Sequence, residues 1–170
     1  KSKISWSPSG SLLYLDINKK VMKEVNHWIE KGFKYYGDMV VSDRLEQGVD
    51  VELFSAEFDK ELRKRSRAGV YIIVEKTTGR VLKFGQSANI RHRIYTQYKT
   101  ITNSTNTFIR ENIKERYKRV SFFVYLIPNT EVELIGYKFK TNLQKGLEEA
   151  ILKEYSEQYQ TIPELNRQRN

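Results

Sequence analysis

Apolar positions change their period several times along the 170-residue chain, and each change marks an element. Val70-Tyr71-Ile72-Ile73-Val74 is an unbroken run of mostly β-branched and aromatic residues. Thr77-Thr78-Gly79 is a turn signal, and Val81-Leu82-Lys83-Phe84 returns as a second short run. This pattern predicts a β-hairpin that ends at Gly85. Beyond it, Ser87 or Asn89 can cap a helix on which Ile90, Ile94 and Tyr98 recur every four residues and turn one face to the sheet. Arg91 and Arg93 stand off that stripe. The strand with Tyr71 and the helix with Arg93 therefore meet at one sheet edge, where a phenol and a guanidinium can converge on a phosphate.

The remaining chain reads more coarsely. Residues 21–33 place Val21, Val25, Trp28 and Ile29 at helical spacing, and residues 51–65 do the same with Leu53, Phe54, Phe58 and Leu62. Two amphipathic helices are predicted there, with Gly37 and Gly48 in loops and a polar, breaker-rich arm over residues 2–10. Residues 105–118 read as a basic helix, residues 120–126 as a buried third strand, and residues 131–140 as a hairpin strand or an insertion. On the last helix, Leu143, Leu147, Ala150, Ile151, Leu152 and Tyr155 cover one broad arc. Glu148 falls inside it and Glu149 points almost the opposite way. A carboxylate inside an apolar arc has to be paired, protonated or bound to a cation. Glu154 also lies in the arc, and a salt bridge near the helix end explains it.

Gly69-Val70-Tyr71, Lys83-Phe84-Gly85 and the spacing from Gly85 to Arg93 together resemble the core of the GIY-YIG nucleases, and Glu148 stands in the context of that family's later glutamate. Lys in place of the second signature's tyrosine, at Lys83, is similar to a subgroup of GIY-YIG restriction endonucleases. The resemblance covers roughly the last hundred residues. It implies an α/β (α+β) fold with a small, mainly antiparallel three-stranded sheet flanked by helices over residues 67–170, with residues 1–66 as a mostly helical extension. It implies DNA phosphodiester hydrolysis with Tyr71 as general base, Lys83 stabilising the phenolate, Arg93 neutralising the phosphate and Glu148 holding Mg²⁺ or Mn²⁺. Gln86 and Gln97 depart from the family's pattern. With Arg91, Tyr98, Lys99, Arg110, Lys114, Lys118 and Asn166 they make up the expected nucleic-acid-binding set, and a homodimer is among the assemblies the resemblance allows.

Charge agrees with such a partner. The net charge is +9, and residues 80–119 carry Arg80, Lys83, Arg91, Arg93, Lys99, Arg110, Lys114, Arg116, Lys118 and Arg119 against only Glu111 and Glu115. A basic face of this kind attracts phosphates by counterion release, and double-stranded DNA is the expected partner. With 39% hydrophobic and 30% charged residues the chain is globular in composition. It has no cysteine, which excludes disulfides and zinc–thiolate sites, and His27 and His92 are too few for a zinc cluster. Any metal should be oxygen-bound. No apolar run is long enough to span a membrane and no signal peptide is visible, so the expected location is cytoplasmic. Two other readings stay open, a DNA-binding module without cleavage and a basic RNA-binding protein.

Overall fold

The computed structural model describes residues 5–6, 12–13, 23–64, 67–128 and 131–166. Helix α1 (Lys23–Glu30) buries Val25 and Trp28 and ends at Gly32, whose φ of +100° turns the chain into Phe33. Strands β1 (Lys34–Val41) and β2 (Val49–Leu53) follow, then helix α2 (Ala56–Lys64), whose first turn is capped by the Ser55 hydroxyl accepting from Phe58 N–H at 3.2 Å. Strands β3 (Gly69–Glu75) and β4 (Val81–Ser87) form the predicted hairpin. Helix α3 is π-helical over His92–Gln97 and closes with an α-turn, Tyr98–Thr100; α4 (Ser104–Asn112) runs on into a π-helical turn, Ile113–Tyr117. Strand β5 (Arg119–Leu126), the hairpin β6 (Glu131–Leu134) and β7 (Tyr137–Lys140), and helix α5 (Leu143–Tyr159) complete the chain before a 3₁₀ turn, Glu164–Asn166.

The main sheet runs β2-β1-β5-β3-β4, antiparallel throughout. Helices cover both faces, which is why β3 carries an unbroken apolar run instead of an alternating one. Tyr71, Ile73, Phe122 and Val124 pack on one side against Ile90, Ile94, Tyr98, Ile109 and Ile113. Val70, Ile72, Phe84 and Phe123 pack on the other against Val25 and Trp28 of α1 and Ile151 and Tyr155 of α5.

The mixed helix-and-sheet class agrees with the sequence, but the expected three-stranded sheet has five strands. The additional pair, β1 and β2, comes from the segment expected to be mostly helical. Val49 and Val51 are buried two residues apart in β2, so a strand period wins locally and the helix expected from residue 51 starts at Ala56, leaving Leu53 and Phe54 outside it. Gly37, expected in a loop, sits inside β1 beside a bulge; a Cβ there would meet the Glu52 carbonyl at 2.4 Å. Gly48 does lie in a turn, at φ +71°. Val21 and most of the N-terminal arm lie outside the described residues, apart from Ser5–Trp6 paired with Leu12–Leu13. No helix among the described residues is long and apolar enough to cross a membrane.

Candidate active site

Strand pairing sets the first part of the site. Tyr71 stands opposite Gly85 in the β3–β4 ladder, and a Cβ on Gly85 would lie 2.3 Å from the Tyr71 ring and its hydroxyl oxygen. Gly69 is needed for a different approach, because a Cβ there would meet the Tyr125 carbonyl at 2.3 Å. Gly85 and Gly69 thus let a phenol approach one backbone closely and let another strand come close. Lys83, two residues before Gly85, is buried; its Nζ donates to the Leu165 carbonyl at 3.4 Å.

The turn into α3 places the guanidinium. Ser87 Oγ accepts from Asn89 N–H at 3.0 Å, and Asn89 Oδ1 accepts from His92 N–H at 3.0 Å, so both predicted capping residues take part. The helix then widens. Tyr98 N–H reaches back five residues to the Arg93 carbonyl. One turn beyond Arg93 therefore brings Tyr98, not Gln97, to the site: Tyr98 lines the cleft with Arg93, while Gln97 is not among the lining residues.

The Tyr98 and Tyr71 hydroxyls are 2.5 Å apart, with their rings edge to face at 5.9 Å. Tyr98 is fully enclosed. Burial raises its pKa well above the ordinary phenol value, and the adjacent Tyr71 raises it further against the opposing pull of Arg93. Tyr98 therefore keeps its proton and can donate it in a hydrogen bond to Tyr71.

Helix α5 brings the carboxylate. Glu148 is 2% exposed and Glu149 is exposed, as the helical geometry predicts, but the surrounding arc differs. Leu143 and Ala150 are exposed, and the buried stripe is Gln144, Glu148, Ile151 and Tyr155. Gln144 and Glu148 face inward, Glu148 into a polar cleft, while Leu147, Ile151 and Tyr155 pack on apolar surface, with Tyr155 edge-on to Phe84 at 5.5 Å. Glu154 pairs with Lys31 at 2.7 Å and His27 at 2.9 Å, in line with the salt bridge expected for it.

These segments enclose a cleft of about 260 Å³ lined by Tyr71, Lys83, Gln86, Arg93, Tyr98 and Glu148. Asn103, Thr105 and Phe108, at the start of α4, also line it. They carry no local sequence signal, because the loop after α3 is what swings them in. Arg93 Nε is shielded from solvent and has no hydrogen-bond partner among the described residues. A buried guanidinium N–H without an acceptor suits an anionic ligand. No cluster of three or more His, Asp or Glu that could hold a metal occurs among the described residues. Glu148 as a single carboxylate fits a cation such as Mg²⁺, which keeps much of its water and takes phosphate oxygens, and not one that requires a closed protein cage.

Several expected nucleic-acid contacts have other partners. Arg110 is buried, and its guanidinium donates to the carbonyls of Tyr98 at 2.7 Å and Ile101 at 2.8 Å, so it braces the α3–α4 loop and does not face solvent. Asn166 lines the cleft and also completes the edge of β4: its Oδ1 accepts from Phe84 N–H at 2.8 Å and its Nδ2 donates to the Phe84 carbonyl at 2.9 Å. Arg91 binds Asp59 at 2.9 Å and stacks on Tyr95. Lys99 pairs with Asp50 at 2.7 Å and Lys114 with Glu111 at 3.1 Å, while Lys118 Nζ donates to the Lys114 carbonyl from an exposed position.

An antiparallel five-stranded sheet, helices on both faces and a polar cleft beside the edge strand β4 define the architecture. No family model matches the chain, and no curated protein sequence matches it. Solved structures share its fold. One is described as restriction endonuclease HPY188I in complex with product DNA, at 16% identity and a TM-score of 0.51 over 87% of this chain and 95% of that one. Another is a point mutant of bacteriophage T4 EndoII, at 17% identity and a TM-score of 0.56 over 78% of this chain and 95% of that one.

Proposed function

We propose that this protein is a metal-dependent endonuclease of the GIY-YIG type that hydrolyses phosphodiester bonds in double-stranded DNA, in a restriction-like or phage-associated role. The observation that carries this reading is the convergence of Tyr71, Lys83, Arg93 and Glu148, from four separate places in the chain, on one cleft. A fold shared with a restriction endonuclease described with product DNA, and a net charge of +9, support the same reading.

Tyr71 accepts the proton of the attacking water as its oxygen bonds to phosphorus and the bridging P–O bond breaks. A phenol ordinarily titrates near pH 10, so the work at neutral pH lies in stabilising its anion. Tyr98 donates a hydrogen bond to it, and Lys83 on the neighbouring strand supplies positive charge in the same cleft. Arg93 neutralises the charge that builds on the phosphate, through a guanidinium whose Nε has no partner among the described residues. Glu148 would hold Mg²⁺ or Mn²⁺, which polarises the scissile phosphate and stabilises the leaving oxygen. A homodimer would present one cleft to each strand of a duplex.

Incubation of supercoiled plasmid with the purified protein and Mg²⁺, Mn²⁺ or EDTA tests the reading. Nicked or linear product in metal and none in EDTA is expected. Intact plasmid under every condition, together with a gel shift of duplex DNA, would assign the chain to a binding module instead.

A further inference from the structure

The polar cleft is roomier than a phosphate alone requires. Tyr71, Lys83, Arg93 and Glu148 serve the phosphate, yet the volume of about 260 Å³ approaches the lower end of small-molecule sites, roughly 300 Å³. The wall across from the chemistry is the start of α4, which contributes Asn103, Thr105 and Phe108. Thr105 and Phe108 stand three positions apart and share a helix face, and Asn103 is the cap before them.

Phe108 is the odd member of that wall. It packs against the core cluster that holds Tyr98 and Ile109, but it is only half-buried and borders polar groups. The phenols of the same cleft are matched ring to ring, Tyr71 with Tyr98 at 5.9 Å and Tyr98 with Phe122 at 6.0 Å. Phe108 belongs to neither pair. A partly bare aromatic face suits a planar aromatic ligand better than it suits water. The polar groups next to it fit the same ligand. Asn103 uses Oδ1 to accept from Asn106 N–H at 2.8 Å, which keeps Nδ2 as a donor, and the exposed Thr105 hydroxyl can donate and accept. A ring for the π-face, with an amide and a hydroxyl for the edge, is the chemistry that recognises a nucleobase.

The wall is held in place by groups that oppose folding. Arg110 is 2% exposed, and its guanidinium goes to the carbonyls of Tyr98 at 2.7 Å and Ile101 at 2.8 Å. Asn106 is fully buried; its Nδ2 donates to the Gln97 carbonyl at 3.1 Å, while its Oδ1 has no donor among the described residues. A buried guanidinium and an orphaned amide oxygen are both unfavourable in themselves. Both tie α4 to the end of α3, and together they set Phe108 at a fixed place relative to Arg93, whose Nε is shielded and unpartnered among the described residues.

We propose that the cleft takes one whole nucleotide, unstacked from its neighbours, with its phosphate at Arg93, its base lying on Phe108 and the base edge at Asn103 and Thr105. This rests on the reading of the cleft as a phosphodiester site and adds the base as a recognised group. The start of α4 then helps to decide which base flanks the cut.

Isothermal titration of the full chain in Mg²⁺ with deoxyadenosine 3′,5′-bisphosphate and with its base-free dideoxyribose counterpart separates base from phosphate. The base-bearing ligand should bind about tenfold tighter, as stacking of one base on one ring provides. Phe108→Leu keeps apolar volume against the core and removes the ring, so the two ligands should come within about twofold of each other, and Phe108→Tyr should restore the gap. Thr105→Val should change the order of preference among bisphosphates of the four bases. The wild-type comparison needs no variant and stands even if Phe108→Leu fails to fold. Equal affinity of wild type for both ligands, or a gap that Phe108→Leu leaves intact, would overturn the base platform and leave the phosphate site standing. No binding of either ligand at millimolar concentration would overturn the phosphate site as well. A base-dependent gap in a protein that leaves plasmid intact would uphold the platform and overturn only the hydrolysis.

Discussion

Tyr71 lies across the α-carbon of Gly85 so closely that a methyl group added there would stand 2.3 Å from the phenol oxygen. The ring has little room to retreat, since Tyr98 and Phe122 back it at centroid distances of 5.9 and 6.3 Å. Gly85→Ala should therefore cost about 1–3 kcal/mol by overpacking and abolish cleavage by displacing the phenol. Urea denaturation alongside a plasmid assay checks both, and a stable, fully active variant would contradict the geometry.

The two phenols should separate by their pH profiles. Tyr71→Phe keeps the ring packing and removes the proposed base, so the rate should fall by about 10² or more with little change in thermal stability. Tyr98→Phe removes a hydrogen-bond donor to the developing phenolate, which makes that anion harder to form. Its rate should remain measurable, with the rise towards alkaline pH displaced upward. Lys83→Met should move the profile the same way. An unchanged profile in both variants would remove Tyr98 and Lys83 from any part in the proton transfer.

Adjacent glutamates on α5 supply an internal control. Glu148→Gln should preserve DNA affinity and abolish metal-dependent cleavage, because it withdraws the carboxylate without adding bulk. Glu149→Gln changes an exposed position and should be nearly silent. Measurement of cleavage and DNA binding in Mg²⁺ for the two variants decides the assignment, and full activity in Glu148→Gln would reject it.

Arg91 and Arg93 are two residues apart and should fail in different ways. Arg93→Ala should lower the cleavage rate far more than stability. Arg91→Ala removes a charged hydrogen bond to buried Asp59 and should cost about 1.5–3 kcal/mol of stability. Although burial pushes the Asp59 carboxyl up, hydrogen bonds from Tyr36, Arg63 and Arg91 hold it below the usual aspartate value. A depressed folded-state pKa stabilises above the unfolded value, about 3.9, and that stability is lost as pH falls through the folded value. The gap between wild type and Arg91→Ala should accordingly be constant near neutrality and narrow below about pH 4, as followed by thermal melts across that range.

What the sequence shows best is local. The hairpin through Tyr71 and Gly85, the helix through Ile90, Ile94 and Tyr98, and the burial of Glu148 but not Glu149 all follow from spacings within one or two turns of chain. Strands β1 and β2 were harder to see because their reason for being strands is distant: Lys34 pairs with Val124 and Met39 with Val120. The strand signal of Val49 and Val51 is also short, and it runs straight into the helical spacing of Phe58 and Leu62. Arg110 and Asn166 show the same limit within the site. Nothing in the sequence around a basic residue on a basic helix reveals that two carbonyls already hold its guanidinium, nor that an amide near the C-terminus completes the edge of β4.

The widened turn of α3 separates spatial order from the count of residues. A helix that takes up one extra position in this way delivers Arg93 and a phenol to the same place whether the phenol stands four or five positions further on. In an alignment the difference reads as a mismatch at Gln97 or as a gap. A lineage can thus gain or lose a residue there, drift beyond recognition by fixed spacing, and keep the shape of its cleft throughout.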